Sequence, residues 1–470
     1  MSATAAMIDE VRGLLGDRAV VTDQSDVAPW LTDWRGRWHG KAAALLQPGS
    51  TGEVAEIVRL AEEHGVALVP QGGNTSMVGG ATPDASGRCV LLSLRRLNRV
   101  RMVGEGRAIV EAGVILADLQ QAAEVTGQRF PLTLGARGSA TVGGLASTNA
   151  GGTQVLRFGT MRQLVGGVEA VLSGGLVHDG LSGLKKDNRG YALDQLLVGA
   201  EGTLGIVTAA AVRLVPAIHD RAVAWIGLTS PQQGLELLRF LQSQTEAVEG
   251  FEILPRDSLE RVLRHIPDTR APLAGSHAWH ALVEATSTSE RSEAPAPLLQ
   301  RLLAGALAVG LLDDATIAAS EAQAEAFWRI RHSISEAEKR DGPALQHDIS
   351  VPVDAMPAFM IEAAAAVEQA FSGTQASGFG HLGDGNVHFH VRAPMDGAAG
   401  WIDSQGAAAS RMVHDLVTQA GGSISAEHGI GQMKREELQR LGSPARLFAM
   451  RAIKQAMDPH GIFNPGKLIA

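Results

Sequence analysis

The sequence predicts an α+β protein of two or three domains, and three observations support this class. The chain has 470 residues, 45% of them apolar, which is enough to fill more than one hydrophobic core. A strand–helix–strand pattern covers residues 43–70, and short strands alternate with helices from about residue 217 onward. We therefore expect a β-α-β unit in the N-terminal part and an antiparallel sheet with helices in the part that follows.

The β-α-β unit is delimited by helix signals. After a predicted helix and an irregular segment in residues 1–40, residues 43–48 (AALLQP) have the pattern of a strand. Ser50 and Glu53 then form an S-x-x-E capping box at the start of a helix, which Gly65 ends. Residues 66–70 (VALVP) are the next predicted strand. The helix has its apolar residues at helical spacing, at Val54, Ile57, Val58, Leu60 and Ala61.

Three glycine-rich segments follow, at residues 70–80 (PQGGNTSMVGG), 134–152 (LGARGSATVGGLASTNAGG) and 198–208 (VGAEGTLGIVT). We expect them to lie outside helices and sheet interiors, where backbone N–H groups can approach a ligand closely. Plain tight turns are the alternative, but three such segments favour a large phosphate-bearing cofactor. Neither G-x-G-x-x-G after a strand nor G-x-x-x-x-G-K-[ST] occurs, which disfavours a nicotinamide-binding Rossmann domain and a P-loop.

The second half predicts alternating strands and helices. Residues 222–228 (AVAWIGL), 279–285 (WHALVEA) and 347–353 (HDISVPV) have strand patterns, and helices are predicted around 235–241, 357–370 and 447–457. One long helix is predicted from Glu321 through FWRIRHSISEAEKR. The apolar run 302–312 is too short to span a bilayer and predicts a buried helix.

Residues 380–390 (GHLGDGNVHFH) concentrate side chains that can bind a metal or transfer a proton, including three histidines. A turn at Gly-Asp-Gly-Asn would bring His381 back toward His388, and alternation in VHFHV places His388 and His390 on one strand face with Phe389 on the other. Glu427 in SAEHGIG offers a carboxylate, with His428 directly after it. Two His and one carboxylate leave open coordination positions, as in catalytic metal sites, and such ligands suit Zn, Mn, Fe or Co. Ordinary histidines of a hairpin are the alternative.

Charge and cysteine content restrict the partners and the compartment. The net charge of −9 argues against a nucleic-acid surface. The single cysteine, Cys89, fits a reducing compartment, and the N-terminal residues have no signal-peptide pattern. We therefore expect a cytoplasmic protein without a transmembrane segment.

Seven blocks in sequence order carry a family resemblance: PQGGNTSMVGG, LGARGSATVGG, STNAGG, KKDNRGYALDQLLVGAEGTLGIVT, FGHLGDGNVHFH, SAEHGIG and DPHGIFNPGK. With these the chain resembles the FAD-dependent D-2-hydroxyacid dehydrogenases of the vanillyl-alcohol-oxidase/p-cresol-methylhydroxylase (PCMH) superfamily. It is most similar to the members that act on D-2-hydroxyglutarate. The resemblance implies a PCMH-type FAD-binding domain at residues 1–216, a ferredoxin-like α+β cap domain at 217–425, and a C-terminal segment, 426–470, that returns to the FAD-binding domain.

The resemblance also implies the residues that line FAD. Superfamily members with covalent flavin often use a His in the first loop, whereas this loop reads GGNTSM, so non-covalent FAD is expected. The implied FAD-binding residues are Pro70, Gln71, Gly72, Gly73, Asn74, Thr75, Ser76, Gly79, Gly80, Leu134, Gly135, Gly138, Ser139, Thr141, Gly143, Gly144, Asn149, Gly202, Ile206 and Asn464.

By the same resemblance, the metal ligands are His381, His388 and Glu427, with zinc the first expectation, and His428 is the base. The implied reaction is metal-assisted removal of the hydroxyl proton and hydride transfer to FAD. The implied acceptor is an electron-transfer flavoprotein or a quinone, and related enzymes are often homodimers. The substrate-contacting residues are Arg331, Ser335, Gln346 and His390.

Two of these positions leave more than one D-2-hydroxyacid as the expected substrate. D-2-hydroxyglutarate-oxidising members resemble one another in having Lys where this chain has Gln346 and Asn where it has His390. D-2-hydroxyglutarate is the first expectation, with D-lactate, D-malate or another short D-2-hydroxyacid as alternatives. An oxidase that uses O₂, a flavin-free metal hydrolase and a non-enzymatic flavoprotein are the remaining alternatives.

Overall fold

The computed structural model describes residues 2–184, 186–394 and 398–469, without the side chains of residues 398 and 399. The chain divides into two units. The first unit consists of the described residues up to Gly152, Phe158–Ala217, and those from Glu427 onward. The second unit consists of Thr153–Arg157 and Ile218–Ala426.

The described helices and strands are numbered in chain order. The helices are α1 (Ala3–Leu15), α2 (Gln24–Val27), α3 (Thr51–His64), α4 (Leu116–Glu124), α5 (Val142–Thr148), α6 (Val155–Phe158), α7 (Met161–Leu164), α8 (Leu193–Leu197), α9 (Pro231–Gln244), α10 (Arg256–His265), α11 (Pro295–Ala308), α12 (Glu321–His332), α13 (Ile334–Arg340), α14 (Met356–Ala370), α15 (Ala398–Gln419), α16 (Arg435–Leu441) and α17 (Pro444–Met457). The strands are β1 (Val20–Val21), β2 (Leu45–Leu46), β3 (Leu68–Gln71), β4 (Val90–Ser93), β5 (Val100–Gly104), β6 (Arg107–Glu111), β7 (Gln128–Arg129), β8 (Val165–Val171), β9 (Val177–Asp179), β10 (Ile206–Arg213), β11 (Val215–Pro216), β12 (Asp220–Leu228), β13 (Val248–Pro255), β14 (Trp279–Ser287), β15 (Asp314–Ile317), β16 (Ala344–Ser350), β17 (Gln375–His381) and β18 (Asn386–Arg392).

The predicted β-α-β unit is confirmed as β2, α3 and β3. Ser50 Oγ accepts a hydrogen bond from the Glu53 N–H, and the Glu53 carboxylate accepts one from the Gly49 N–H, so the helix start is capped. Gly65 ends the helix in the left-handed conformation, at φ 63°. The strands join a four-stranded sheet in the order β1-β2-β4-β3, in which β4 pairs in parallel with both β2 and β3.

A second sheet of the first unit has the order β5-β6-β10-β8-β9 and is antiparallel. One prediction is wrong for residues 134–152. They contain α5, although we expected no helix there. The helix buries Val142, Leu145 and Ala146, and a β-carbon on Gly143 would lie only 2.5 Å from Ala112 Cβ. Here glycine serves close packing of a helix against its neighbour rather than a turn.

The end of the chain returns to the first unit, as the fold prediction required. Phe463 is fully buried in the core around α3 and forms a parallel bridge with Leu68. The Leu68 N–H donates to Ile462 O, and the Asn464 N–H donates to Leu68 O. The last residues thus extend the four-stranded sheet beyond β3.

The second unit is built on a seven-stranded antiparallel sheet in the order β15-β12-β14-β13-β17-β18-β16, which confirms the predicted architecture. One face carries a core with α9, α11, α14 and α15, and the other carries a core with α10, α12 and α13. Phe389 lies in the first core, whereas the rings of His388 and His390 both contact Phe379 of the second. The predicted alternation in VHFHV is therefore confirmed.

The prediction of one long helix from Glu321 is wrong, because the structure has two helices there, α12 and α13. Ser333 ends α12 and precedes α13, with φ −87° and ψ −3°, values outside the regular helix. Ile330, Ile334 and Ala337 still bury against one core, so apolar spacing continues across the break. None of the described helices combines the length and apolar character that a bilayer crossing requires.

Candidate functional site

The first unit contains a cavity of about 510 Å³, within the size range of ligand and cofactor sites. Most of its wall comes from the three glycine-rich segments, and three further wall residues, Glu427, His428 and Asn464, come from the C-terminal part. The segments come from residues 70–81, 134–151 and 201–207. Segments that are distant in the sequence therefore converge on one ligand-sized space.

Two of these segments approach each other so closely that side chains are excluded. A β-carbon on Gly72 would lie 2.1 Å from Thr141 Oγ1, and one on Gly73 would lie 1.9 Å from the Ser139 carbonyl oxygen. A β-carbon on Gly202 would lie 2.6 Å from Pro70 Cγ. The glycines thus let these segments pack directly against one another where they form the cavity wall.

Buried polar atoms of the cavity wall test whether a cofactor fits. Among the described residues, Gln71 Oε1, Asn74 Oδ1, Thr141 Oγ1 and Asn464 Oδ1 are buried without a hydrogen-bond partner, and all four residues line the cavity. Buried polar groups are rarely left unsatisfied in folded proteins, since each costs about 1–3 kcal/mol. Four such atoms around one space fit a large polar ligand such as FAD.

Most residues predicted to line FAD are in the cavity wall, and three are not: Gly79, Gly138 and Asn149. The Asn149 side chain is used within the protein, because its Oδ1 accepts from Thr160 Oγ1 and from the Arg162 N–H. A β-carbon on Gly79 would lie 3.0 Å from the Trp38 ring, and one on Gly138 would meet no atom within 4 Å. In this structure Asn149 caps α5 at φ 51° rather than facing the cavity.

Asn464 joins two of the segments. Its side-chain amide donates to Gly80 O at 3.0 Å and to Glu201 O at 2.7 Å, while the residue is only 1% exposed. The backbone at φ 42° is one that asparagine tolerates better than most residues. A residue from the end of the chain therefore fixes the relative position of the first and third glycine-rich segments.

Glu201 was not predicted, although it lines the cavity and holds the segment that carries Glu427 and His428. Its carboxylate accepts hydrogen bonds from the Ile430 and Gly431 N–H groups, both at 2.7 Å. Burial raises the pKa of Glu201, an effect that the two N–H donors oppose. In the sequence, only the acidic residue inside an otherwise small and apolar segment, VGAEGTLG, could have drawn attention to it.

In the second unit, a fully buried carboxylate connects two predicted site residues. Glu252 lies on β13 directly opposite His381 of β17, and its Oε1 hydrogen-bonds His381 Nδ1. Glu252 Oε2 accepts from Arg331 Nε at 2.7 Å. Burial by itself raises the pKa of Glu252, but the Arg331 guanidinium and the His381 imidazole reverse this effect and hold the pKa well below its usual range. Sequence reasoning did not find Glu252.

His388 and His390 lie beside this arrangement on the same sheet face. The ring centroids of His381 and His388 are 5.8 Å apart, and burial, followed by the charge of Arg331, lowers the pKa of His388 well below its usual value. His388 is therefore neutral at pH 7, the form that binds metals. His390 Nδ1 hydrogen-bonds the carboxylate of Glu338, a buried residue of α13.

The remaining predicted substrate residues are less enclosed. Gln346 is half-buried on β16, opposite His390 in the strand register, and Ser335 is exposed on α13. Glu427 and His428 are half-buried at the cavity wall of the first unit. His381, His388, Arg331, Gln346 and His390 belong to the second unit.

Comparisons with protein families match both halves of the chain. Residues 219–468 match the family described as "FAD linked oxidases, C-terminal domain", and residues 42–180 match the family described as "FAD binding domain". Together the two matches cover most of the chain, including the first two glycine-rich segments and the histidine motif.

Similar proteins of known name extend over nearly the whole chain. A mitochondrial D-2-hydroxyglutarate dehydrogenase of Arabidopsis thaliana is 35% identical over 97% of this chain and 80% of its own length. A D-2-hydroxyglutarate dehydrogenase of Xanthomonas citri pv. viticola is 37% identical over 95% of this chain and 93% of its own length.

Among solved structures, p-cresol methylhydroxylase with substrate bound has a similar fold, with a TM-score of 0.75. The match covers 99% of this chain and 96% of that one at 15% sequence identity. At this identity the likeness concerns the fold alone, and it confirms the predicted PCMH-type architecture.

Proposed function

This chain belongs to the FAD-linked oxidases, and on that premise we propose that it oxidises a D-2-hydroxyacid, with D-2-hydroxyglutarate as the first substrate and 2-oxoglutarate as its product. The observation that carries the proposal is the cavity of the first unit, with four unpaired buried polar atoms and His428 in its wall. The named relatives supply the substrate class.

We assign FAD to this cavity as a non-covalent cofactor. The glycines of the first two segments let the wall pack closely at Thr141, and the side-chain oxygens of Gln71, Asn74, Thr141 and Asn464 are available to the polar groups of FAD. The segment 70–80 has no His, Cys or Tyr that could bond to a flavin ring. When bound, FAD supplies the acceptor for the hydride of the substrate.

Arg331 is suited to anchor the substrate carboxylate. Its Nε is occupied by Glu252, and within the described part of the chain Nη1 and Nη2 make no hydrogen bond. Two parallel N–H groups are the arrangement that binds a carboxylate bidentately. His428 at the cavity wall is the base that accepts the hydroxyl proton at an imidazole nitrogen.

We further propose a divalent metal, zinc first and Mn, Fe or Co otherwise, with His381, His388 and Glu427 as ligands. Support comes from the surroundings of the two histidines, because His381 Nδ1 is engaged by Glu252 and His388 is held neutral. A carboxylate on the far nitrogen of a ligating His is the usual partner arrangement in metal sites. A metal held there would lower the pKa of the substrate hydroxyl.

A short D-2-hydroxyacid such as D-lactate or D-malate is the second candidate, and one observation favours it. His390 is paired with the buried carboxylate of Glu338, and the facing residue is the neutral Gln346. This arrangement offers less positive charge to a second carboxylate than a lysine would. For the acceptor we propose an electron-transfer flavoprotein or a quinone, and for the assembly a homodimer, as the family resemblance implies.

An anaerobic experiment tests the proposal. The metal-replete protein with FAD bound is mixed with D-2-hydroxyglutarate, D-malate or D-lactate, with each L-enantiomer as control, and bleaching of the oxidised-flavin spectrum is followed. Fast bleaching by D-2-hydroxyglutarate supports the first candidate, and preferential bleaching by D-lactate or D-malate supports the second. Absence of bleaching by all of them, with FAD present, contradicts oxidation of hydroxyacids.

A further inference from the structure

We propose that Glu252 is a positioning residue that orients Arg331 and His381 together, so that one buried carboxylate prepares both the substrate-anchoring guanidinium and a metal-ligating imidazole. This inference rests on the proposed function, because it gives Arg331 and His381 the roles stated above. It extends that function to a residue 129 positions away from His381 in the sequence.

The contacts of Glu252 use both of its oxygens on different partners. Oε2 accepts from Arg331 Nε at 2.7 Å, and Oε1 hydrogen-bonds His381 Nδ1. Glu252 is fully buried, and both partners are less than one-tenth exposed. The carboxylate is therefore held between a cation and an imidazole at a position that bulk solvent does not reach.

The contact with Nε determines how the guanidinium is presented. Because Nε–H donates to Glu252, the end-on edge formed by Nη1 and Nη2, which make no hydrogen bond within the described part of the chain, stays available to a ligand. The Arg331 guanidinium carbon also lies 4.9 Å from the Phe379 ring centroid, a cation–π contact that restricts the plane of the group. The Arg331 guanidinium thus has a fixed plane and presents its terminal nitrogens before the substrate binds. Less conformational entropy is then lost when a carboxylate binds to it.

The contact with Nδ1 determines which imidazole nitrogen of His381 can bind a metal. A carboxylate that accepts a hydrogen bond from Nδ1–H favours the tautomer in which Nε2 carries the lone pair. The strand pairing of Glu252 with His381 places the two side chains on the same sheet face as neighbours. The sheet register itself therefore fixes the tautomer.

A second buried glutamate on the same strand provides a matched control. Glu249 is 1% exposed and also pairs with an arginine, Arg157, at 3.2 Å, and with Thr286 Oγ1 at 2.8 Å. None of the predicted site residues is among these partners. If the effect of the substitution comes from removing a buried carboxylate that pairs with an arginine, Glu249 and Glu252 should behave alike. If it comes from orienting Arg331 and His381, only the Glu252 variant should be affected.

The test compares Glu252→Gln with Glu249→Gln in the FAD-loaded full chain, stripped of metal. Co²⁺ is titrated and followed by its visible absorption, which requires no turnover. We expect Glu252→Gln to weaken Co²⁺ binding by about 10- to 100-fold, the usual effect of losing such a partner, and Glu249→Gln to stay within about twofold of wild type. Wild-type Co²⁺ affinity in a folded Glu252→Gln protein overturns the proposal.

A second readout concerns Arg331. At saturating metal, we expect Glu252→Gln to raise KM for the best D-2-hydroxyacid by about tenfold or more, with a smaller change in kcat, because the anchor is no longer oriented before binding. An unchanged KM contradicts the role toward Arg331. If wild-type protein binds Co²⁺ but oxidises no hydroxyacid, the proposed substrate class fails, whereas the Co²⁺ titration of the variants still decides the role of Glu252.

Two further measurements cover the case in which Glu252→Gln does not fold. Glu252→Asp keeps the charge but is one methylene shorter, so it cannot reach both partners, and it should shift Co²⁺ affinity and KM in the same directions. In metal-free wild type, long-range ¹H–¹⁵N spectra, assigned with His381→Gln, should show the His381 proton on Nδ1. A proton on Nε2 overturns the proposal without any variant of Glu252.

Discussion

The Thr141 hydroxyl oxygen lies 2.1 Å from the position that a β-carbon on Gly72 would occupy. Real β-carbons do not approach other atoms so closely, so any side chain at position 72 must displace Thr141 or its own backbone. Both residues line the cavity that we assign to FAD, and the Thr141 hydroxyl is one of its unpaired polar atoms. The contact between Gly72 and Thr141 therefore affects both the packing of the two segments and the affinity for the cofactor.

Gly72→Ala should weaken FAD binding by about tenfold or more and reduce the free energy of unfolding by about 1–3 kcal/mol, as overpacking does. Gly73→Ala should be more severe, because its β-carbon would meet the Ser139 carbonyl of the backbone at 1.9 Å. Flavin release on dilution and denaturant unfolding measure the two effects. Gly13→Ala is the control, since a β-carbon there meets no atom within 4 Å and alanine favours the helix. Equal effects at positions 13 and 72 would contradict the packing argument.

Asn464→Asp should release FAD and destabilise the protein by about 1–3 kcal/mol. The substitution keeps shape and backbone preference but replaces an N–H donor by a carboxylate oxygen that faces the carbonyl oxygens of Gly80 and Glu201. Asn464→Ala should cost a similar amount by leaving both carbonyl groups unpaired. FAD dissociation constants and unfolding midpoints, measured side by side, check this expectation. An Asp variant with the affinity and stability of wild type would show that the two hydrogen bonds do not hold the segments together.

Glu201→Ala should increase amide hydrogen exchange at Ile430 and Gly431, because both N–H groups lose their acceptor. Glu201→Gln retains one carbonyl oxygen and should show a smaller increase. Mass spectrometry of peptides that cover residues 427–434 measures the exchange, with peptides of α3 as an internal control. Unchanged exchange in the Ala variant would mean that other contacts fix the segment.

His280 should make stability depend on pH in a defined window. Burial lowers the pKa of His280 to about 4, and its Nδ1 accepts from Trp225 Nε1 at 3.1 Å, so the native imidazole is neutral. In the unfolded chain the pKa returns to about 6.5. Between these values the unfolded state binds more protons, so stability falls as pH falls, by up to about 1.4 kcal/mol per pH unit.

The comparison with His280→Asn isolates this contribution. Asparagine offers an oxygen near the Nδ1 position but does not titrate, so the variant should lose the slope that His280 adds between pH 6.5 and 4 and match the wild-type slope above pH 7. Urea unfolding at half-unit pH steps measures the slopes. Identical slopes in both proteins at acidic pH would show that His280 is not kept neutral by the fold.

Much of the fold could be predicted because its signals are local. The capping box at Ser50 and the alternation in VHFHV each depend on a few neighbouring residues, and both are confirmed. The FAD-linked family followed from blocks of contiguous sequence. The break at Ser333 could not be predicted, because apolar spacing continues through it and no Gly or Pro marks it. The helix α5 was missed because its glycines serve packing against Ala112, which only the tertiary structure reveals.

Glu252 shows why the candidate site was harder to predict than the fold. It lies in a strand, VEGFEILP, with no motif around it, and its partners Arg331 and His381 are 79 and 129 residues away. Its importance comes from strand register and burial, which depend on the whole sheet. Glu201 is similar, since its partners Ile430 and Gly431 are 229 and 230 residues away.

The hydrogen bond from Asn464 to Gly80 has a consequence for synthesis of the chain on the ribosome. The two residues are 384 positions apart, so the first glycine-rich segment is made long before the residue that fixes it. At about 5–20 residues per second, the interval is roughly 20–80 s. During that time β3 lacks its partner at Phe463, and Leu68, which is fully buried in the folded protein, lies on an uncovered strand edge. The FAD-binding cavity of the nascent first unit is therefore completed only after residues 463 and 464 have been made, so capture of the cofactor follows that interval.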